Sequence, residues 1–135
     1  MTWHELVQQA RHHGRYATDE EAENVLQAVL AALGAQLVAE ERCELAAILP
    51  EPARTTFCQQ IPLTQPLTAP AFVGTIARAL GTTPAQARWD TTSALAALTE
   101  LADLTGQPPL IDHLLAQLPR GYALLFCRPE LTSAA

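Results

Sequence analysis

The chain has 135 residues, a length that fits one ordinary domain able to bury about two thirds of its unfolded surface without help from metals or disulfides. Apolar residues form 49% of it and are mostly Ala and Leu, strong helix formers, while the β-branched and aromatic types that favour strands are sparse, so the composition predicts an all-α fold. The net charge is −6 and all 8 basic residues are Arg; with no basic stripe to neutralise phosphates, nucleic acid is not expected as a partner.

The first predicted helix runs from Trp3 to about His13, with Thr2 as its cap and Glu5 three positions on. A second begins at Thr18, with Glu21 completing a capping-box pattern. Ala22, Val25, Leu26, Val29, Leu30, Leu33 and Leu37 then recur at three-four spacing, a broad apolar stripe that belongs at the centre of a core. A third helix spans roughly Ala39 to Leu49, with Glu40, Glu41 and Glu44 outward and Cys43, Leu45, Ile48 and Leu49 available to the inside. Pro50 ends it, because proline lacks an N–H and clashes with the preceding turn, and its fixed φ suits the first turn of a short fourth helix that carries Phe57 inward.

Residues 59–71, QQIPLTQPLTAPA, hold three prolines, no charge and no helical period, and read as a semi-extended linker. The next helix, about Ala71 to Leu80, is stopped by Gly81. A long helix follows from Thr83, with Pro84 at its first position and Gln86 three beyond the cap; Ala87, Ala94, Leu95, Leu98, Leu101 and Ala102 form its stripe. Another starts after Pro108-Pro109 and carries Ile111, Leu114, Leu115 and Leu118, and Pro119 leads into a last short helix with Phe126 inward. The tail after Arg128-Pro129 reads as frayed.

These elements come in two sets of four. Shifting the chain by 69 positions lays Trp3 on Phe72, Val7 on Ile76, and the whole of LAAILPEPARTTFC (45–58) on LLAQLPRGYALLFC (114–127). In the middle a shift of 65 does better, placing AVLAAL (28–33) on SALAAL (93–98), so that about one helical turn has moved from a loop to a helix. The expected architecture is therefore about eight helices as two four-helix repeats, residues 2–58 and 72–128, packed into a single domain.

An aromatic-led first helix (Trp3, Phe72), a long AVLAAL-type second helix, a third ending in LAAILP or LLAQLP and a following Phe57 or Phe126 cover nearly the whole chain. In these features it resembles the bacterial family known as domain of unknown function 2267. That resemblance implies an all-helical bacterial protein with the unit usually duplicated, and brings no catalytic residues with it. The chain departs from the family pattern between its second and third helices, where LVAE stands in place of a longer, glycine-containing step.

Few residues invite a chemical reading. Cys58 and Cys127 close equivalent corner motifs and would form a redox pair if the packing brought them together; the alternative is two small buried hydrophobes beside their Phe neighbours. The histidines His4, His12, His13 and His113 show no metal-ligand spacing with Cys43 or with one another, and no metal or other cofactor is expected. No phosphate-binding glycine loop is present, and no nucleophile beside a base is visible, so no enzyme activity is expected. Arg88-Trp89 offers either an exposed recognition patch, since Trp and Arg lead at binding hot spots, or a tryptophan packed under a loop.

The opening MTWHELVQQARHH lacks the apolar core of a secretory signal and the cysteines number 3, which together predict a cytoplasmic, reducing setting. The apolar, charge-free stretch Asn24 to Ala39 falls short of the roughly 20 residues of a membrane span, so no membrane is expected as a partner. The functional expectation is a non-enzymatic helical interaction module that meets a protein partner or a second copy of itself. The alternative is a small-molecule binding or sensing protein with an apolar pocket between the two repeats.

Overall fold

A computed structural model describes residues 1–105 and 109–127, and among them every regular element is a helix: α1 (Trp3–Gly14), α2 (Asp19–Gly34), α3 (Ala39–Ile48), α4 (Ala53–Cys58), α5 (Ala69–Leu80), α6 (Pro84–Leu104), α7 (Pro109–Gln117) and α8 (Tyr122–Leu125). The all-α expectation is met, and each predicted helix is present.

Threonine starts four of them. The hydroxyl of Thr2 accepts from the Glu5 N–H while the Glu5 carboxylate accepts from the Thr2 N–H, a complete capping box. Thr18, Thr68 and Thr83 accept in the same way from the N–H groups of Glu21, Ala71 and Gln86. Each such cap satisfies one orphan donor and stabilises its helix by about 1 kcal/mol. The ends of α1 and α5 also share one device. Tyr16 N–H reaches back to Arg11 O and Arg15 N–H to His12 O, as Thr82 N–H reaches Ala77 O and Gly81 N–H reaches Arg78 O, with Arg15 (φ 55) and Gly81 (φ 63) in the left-handed region.

The two long helices form the centre of the core. The stripe predicted on α2 is buried throughout, from Ala22 to Leu33 and on to Leu37 beyond its end, and so is that of α6, from Ala87 to Ala102. α1 lies against α2 and α6, α5 lies against α6 and α2, and the two long helices touch each other. α4 and α8 close on α2 and α6 respectively, bringing Phe57 and Phe126 into the same hydrophobic cluster, and α3 rests on α4 and α7 at the periphery.

Several local expectations change. α5 starts at Ala69 rather than Ala71, because Thr68 is a competent cap and Pro70 falls in the first turn, where its missing N–H costs nothing; the linker therefore ends at Thr68. α3 buries only Leu45, joined by Leu49 just past its end; Cys43 is exposed and Ile48 half-buried, since the helix rests on its neighbours along one narrow strip. Pro50 does not enter α4: it sits in the turn before, its carbonyl accepting from Arg54 N–H (3.0 Å), and α4 begins at Ala53. Pro108 and the tail from Arg128 lie outside the described residues. No helix among the described residues is long and apolar enough to cross a membrane.

Candidate interaction surface

The corner where α2 ends, α3 begins and the linker passes is organised by Arg42. This arginine lies among Glu40, Glu41 and Glu44, yet its guanidinium turns away from them. It donates to the carbonyls of Gly34, Leu37 (3.2 Å), Phe57 (3.3 Å), Cys58 (3.3 Å) and Gln60 (2.8 Å), and lies over the Phe57 ring at 5.1 Å from the centroid. Most of these oxygens stand at the C-terminal ends of α2 and α4, where carbonyls have no intrahelical partner and the helix dipole is negative, so a planar five-donor cation fits there without a carboxylate.

The linker is bound to this corner through its backbone. Its Leu63 N–H donates to Ala35 O (2.8 Å) and its Leu67 N–H to the Gln36 side-chain carbonyl (2.7 Å), while the Gln36 amide donates to Ala32 O. Gln36 is buried, so its amide serves as an internal bracket between α2 and the linker. Because the backbone groups face inward, the linker's apolar side chains are left outside. Ile61 is 85% exposed and Leu63 44%, and on the α2–α3 turn Val38 is 45% exposed. The Val38 N–H is held by the Gln117 side-chain oxygen at 2.9 Å, which also fixes the end of α7 against this corner.

The acid of α3 lies on other faces of the helix than Arg42. Glu41 accepts from the Gln117 amide at 2.7 Å, Glu44 stands 3.7 Å from His113, and Glu40 has no partner among the described residues. A shallow, open depression on the outer side of α3 is lined by Ala39, Glu40, Arg42, Cys43 and Glu44. With Arg42 committed to carbonyls, no arginine among the described residues pairs with the carboxylates of this helix.

A second polar cluster joins the end of α1 to the start of α6. Tyr16 donates its hydroxyl to Asp90 Oδ1 at 2.7 Å, Gln86 donates to the same oxygen at 2.9 Å, and Asp90 is buried. Burial, and then the Asp90 carboxylate, push the Tyr16 hydroxyl well above its ordinary value. Further along the same seam His13 is paired with Glu100. The predicted patch Arg88-Trp89 lies here and combines both readings: the Trp89 indole N–H donates to Gly14 O at 3.0 Å, pinning one edge to the end of α1, while 47% of the residue stays open to solvent. Arg88 is exposed beside it.

Cys58 and Cys127 are both free thiols and both exposed, so the reading as buried hydrophobes is overturned, and no disulfide joins them. The reason is angular. Phe57 occupies the inward position of α4 and the next residue points about 100° away along the helix, toward solvent, while Cys127 lies past the end of α8 with its backbone in the left-handed region (φ 60). No group of three or more His, Cys, Asp or Glu among the described residues is placed to hold a metal ion.

Neither the Arg42 hub nor the exposed Ile61 and Leu63 was legible as a site. An Arg inside EERCE reads as one more helix-surface ion pair, and an apolar residue in a proline-rich linker carries no periodicity to show which way it faces. Arg88-Trp89 did stand out, but the neighbouring Asp90 gave no sign of its role, because its partner Tyr16 is remote in sequence.

The described residues define an all-helical fold with exposed apolar side chains on a hydrogen-bonded linker. A family model described as an uncharacterized conserved protein (DUF2267) matches residues 3–125, nearly the whole chain, and the protein belongs to that family. Among curated proteins none matches it.

Proposed function

We propose that this protein is a non-enzymatic helical interaction module that docks through the corner formed by Val38, Ile61 and Leu63. One observation carries the reading: large apolar side chains stay in solvent on a segment whose backbone is firmly hydrogen-bonded, so their exposure is a property of the folded chain rather than of a loose loop. The polar groups nearby support it, since Arg42 and Gln36 spend their hydrogen-bonding capacity inside the fold. The depression described lies on one side of α3 and is open, which suits a partner's side chain better than an enclosed small molecule.

The test compares the wild type with the double variant Ile61→Ser/Leu63→Ser, whose side chains are exposed and whose thermal stability should match. Light scattering over a concentration series, with capture on the immobilised chain, should show an association that the double variant loses. A wild type that stays monomeric and retains nothing, or an association indifferent to both substitutions, overturns the reading.

A further inference from the structure

We propose that the half-open Trp89, with Arg15 and Arg88 beside it, is a second docking surface, separate from the linker corner, and that it takes an acidic segment of another protein whose carboxylates flank an apolar or aromatic residue. The contacts of the α1–α6 seam place its parts together. The Trp89 indole N–H donates to Gly14 O at 3.0 Å. Arg15 is bonded to that same carbonyl, so it leaves the backbone at the nitrogen edge of the indole, while Arg88 leaves it one residue before the root of the ring. The Tyr16 ring fills the space over Gly14, and its hydroxyl is tied to Asp90, the residue after Trp89. The Trp89 carbonyl in turn accepts from Ser93 Oγ at 2.8 Å. The indole is therefore a fixed platform, with 47% of the residue open to solvent.

Both arginines are available to a partner. They are exposed, and neither side chain has a partner among the described residues. The carboxylates of this end of the fold are engaged: Asp90 is buried and accepts from Tyr16 and Gln86, Asp19 takes the Arg11 guanidinium at 2.8 Å, and Glu21 is turned to the Thr18 hydroxyl. Arg15 also stands at a cost, because it occupies the left-handed position (φ 55) that the equivalent end of α5 gives to Gly81. A side chain that costs the fold and meets nothing within it is placed for a contact outside. A rigid indole offers large apolar area, and a guanidinium forks a carboxylate in two bonds, which is why Trp and Arg lead at binding hot spots. Two unpaired arginines in a chain of net charge −6 make a local site rather than a stripe, so they suit the carboxylates of a short segment and not a run of phosphates.

The probe is a labelled synthetic peptide of glutamates around a central phenylalanine, titrated into the intact chain and followed by fluorescence anisotropy, with its lysine counterpart and a single-stranded DNA oligonucleotide alongside. Saturable binding of the acidic peptide alone is expected. Arg15→Gln with Arg88→Gln should weaken it roughly tenfold, and Trp89→Leu by at least as much, while Arg78→Gln with Arg120→Gln, equal in charge but elsewhere, should leave it within about twofold. Melting curves establish that each variant is folded, and the arginine pair, exposed and unpartnered, tests the site should Trp89→Leu be unstable. No binding of the acidic peptide, or equal loss from both arginine pairs, overturns the inference. Tighter binding of the oligonucleotide, lost with Arg15 and Arg88, makes the occupant nucleic acid and overturns it too. So does self-association in light scattering that the same pair abolishes, since the occupant is then a second copy. Ile61→Ser/Leu63→Ser should leave peptide binding unchanged; if it removes binding, the peptide sits at the linker corner and this second surface falls while the corner stands.

Discussion

The hydroxyl of Tyr16 donates to Asp90 Oδ1 across 2.7 Å, joining the residue just past α1 to a buried carboxylate on α6 that is 74 positions away in the chain. Replacing Tyr16 by Phe removes the donor and leaves Asp90 with Gln86. The expected loss is about 1–2 kcal/mol, a fall in Tm of roughly 3–6 °C for a domain of this size, read by calorimetry. The pair also sets the alkaline limit. Burial raises Tyr16 above its ordinary value of 10.0, and burial does the same for Tyr122, whose hydroxyl donates to Leu67 O at 2.8 Å. A phenol raised on folding keeps its proton while the unfolded chain loses it. The stability tied to that proton is therefore intact below pH 10 and drains away above it, by at most about 1.4 kcal/mol per pH unit for each tyrosine and less for the partly open Tyr16. Denaturant titrations between pH 8 and pH 12 should show a shallower alkaline decline in Tyr16→Phe and Tyr122→Phe than in the wild type.

Arg42 gives the second prediction. Its guanidinium gathers carbonyls of Gly34, Leu37, Phe57, Cys58 and Gln60, tying α2, α4 and the linker to one side chain. Arg42→Met strands several of these oxygens and should cost about 2–4 kcal/mol; Arg42→Lys should recover little, because one ammonium cannot span the fork. Arg78→Gln, at an exposed position, should stay within about 0.5 kcal/mol. The Arg42 variants should also release the linker, and thermolysin should cut beside Ile61 and Leu63 faster than in the wild type while the helical core resists. Unchanged cleavage would show that Gln36 alone holds the segment.

What was legible in the sequence follows from range. Threonine caps, Pro84 at the head of α6, Gly81 at the end of α5 and the stripes of α2 and α6 are set within a turn or two of the chain, and those boundaries were read closely. The burial of Phe57 and Phe126 was legible because each comes at a fixed distance after a leucine-proline step. The exposure of their neighbours Cys58 and Cys127 needed the orientation of the short helices as well. Tyr16–Asp90, Trp89–Gly14 and the Arg42 hub are contacts between distant segments, and no local pattern marks them. α3 failed differently: its apolar residues suggested four inward positions, but a peripheral helix that rests mainly on α4 and α7 buries only Leu45 along its length.

Two glycines in similar helical settings should answer an added methyl group with opposite signs. At Gly34, the last residue of α2, a Cβ would stand 2.4 Å from Phe57 O and 2.9 Å from Gln60 Cγ. The first of these is backbone held by Arg42 and cannot swing aside, so Gly34→Ala should destabilise by about 1–3 kcal/mol and disturb the docking corner with it. At Gly74, inside α5, the nearest atom is the Arg78 guanidinium at 3.8 Å, ordinary contact distance. There Gly74→Ala gains helix propensity and should stabilise by about 0.5–1 kcal/mol. Denaturant unfolding of the two variants side by side checks both signs.

The shared ending of α1 and α5 supplies the last prediction. Both helices stop with the same pair of reverse hydrogen bonds around a left-handed residue, but α5 uses Gly81 and α1 uses Arg15, at φ 63 and φ 55 respectively. A side chain in that region crowds its own carbonyl at a cost of about 1 kcal/mol, and glycine does not. Arg15 is exposed and its side chain has no partner among the described residues, so nothing is forfeited by removing it. Part of the gain is offset by the freedom glycine adds to the unfolded chain. Arg15→Gly should therefore stabilise by about 0.5–1 kcal/mol, and Gly81→Arg should destabilise by a similar amount. If Arg15→Gly lowers Tm instead, the arginine side chain contributes something beyond its backbone position, and the nearby seam of Tyr16, Asp90 and Trp89 is where the effect would originate.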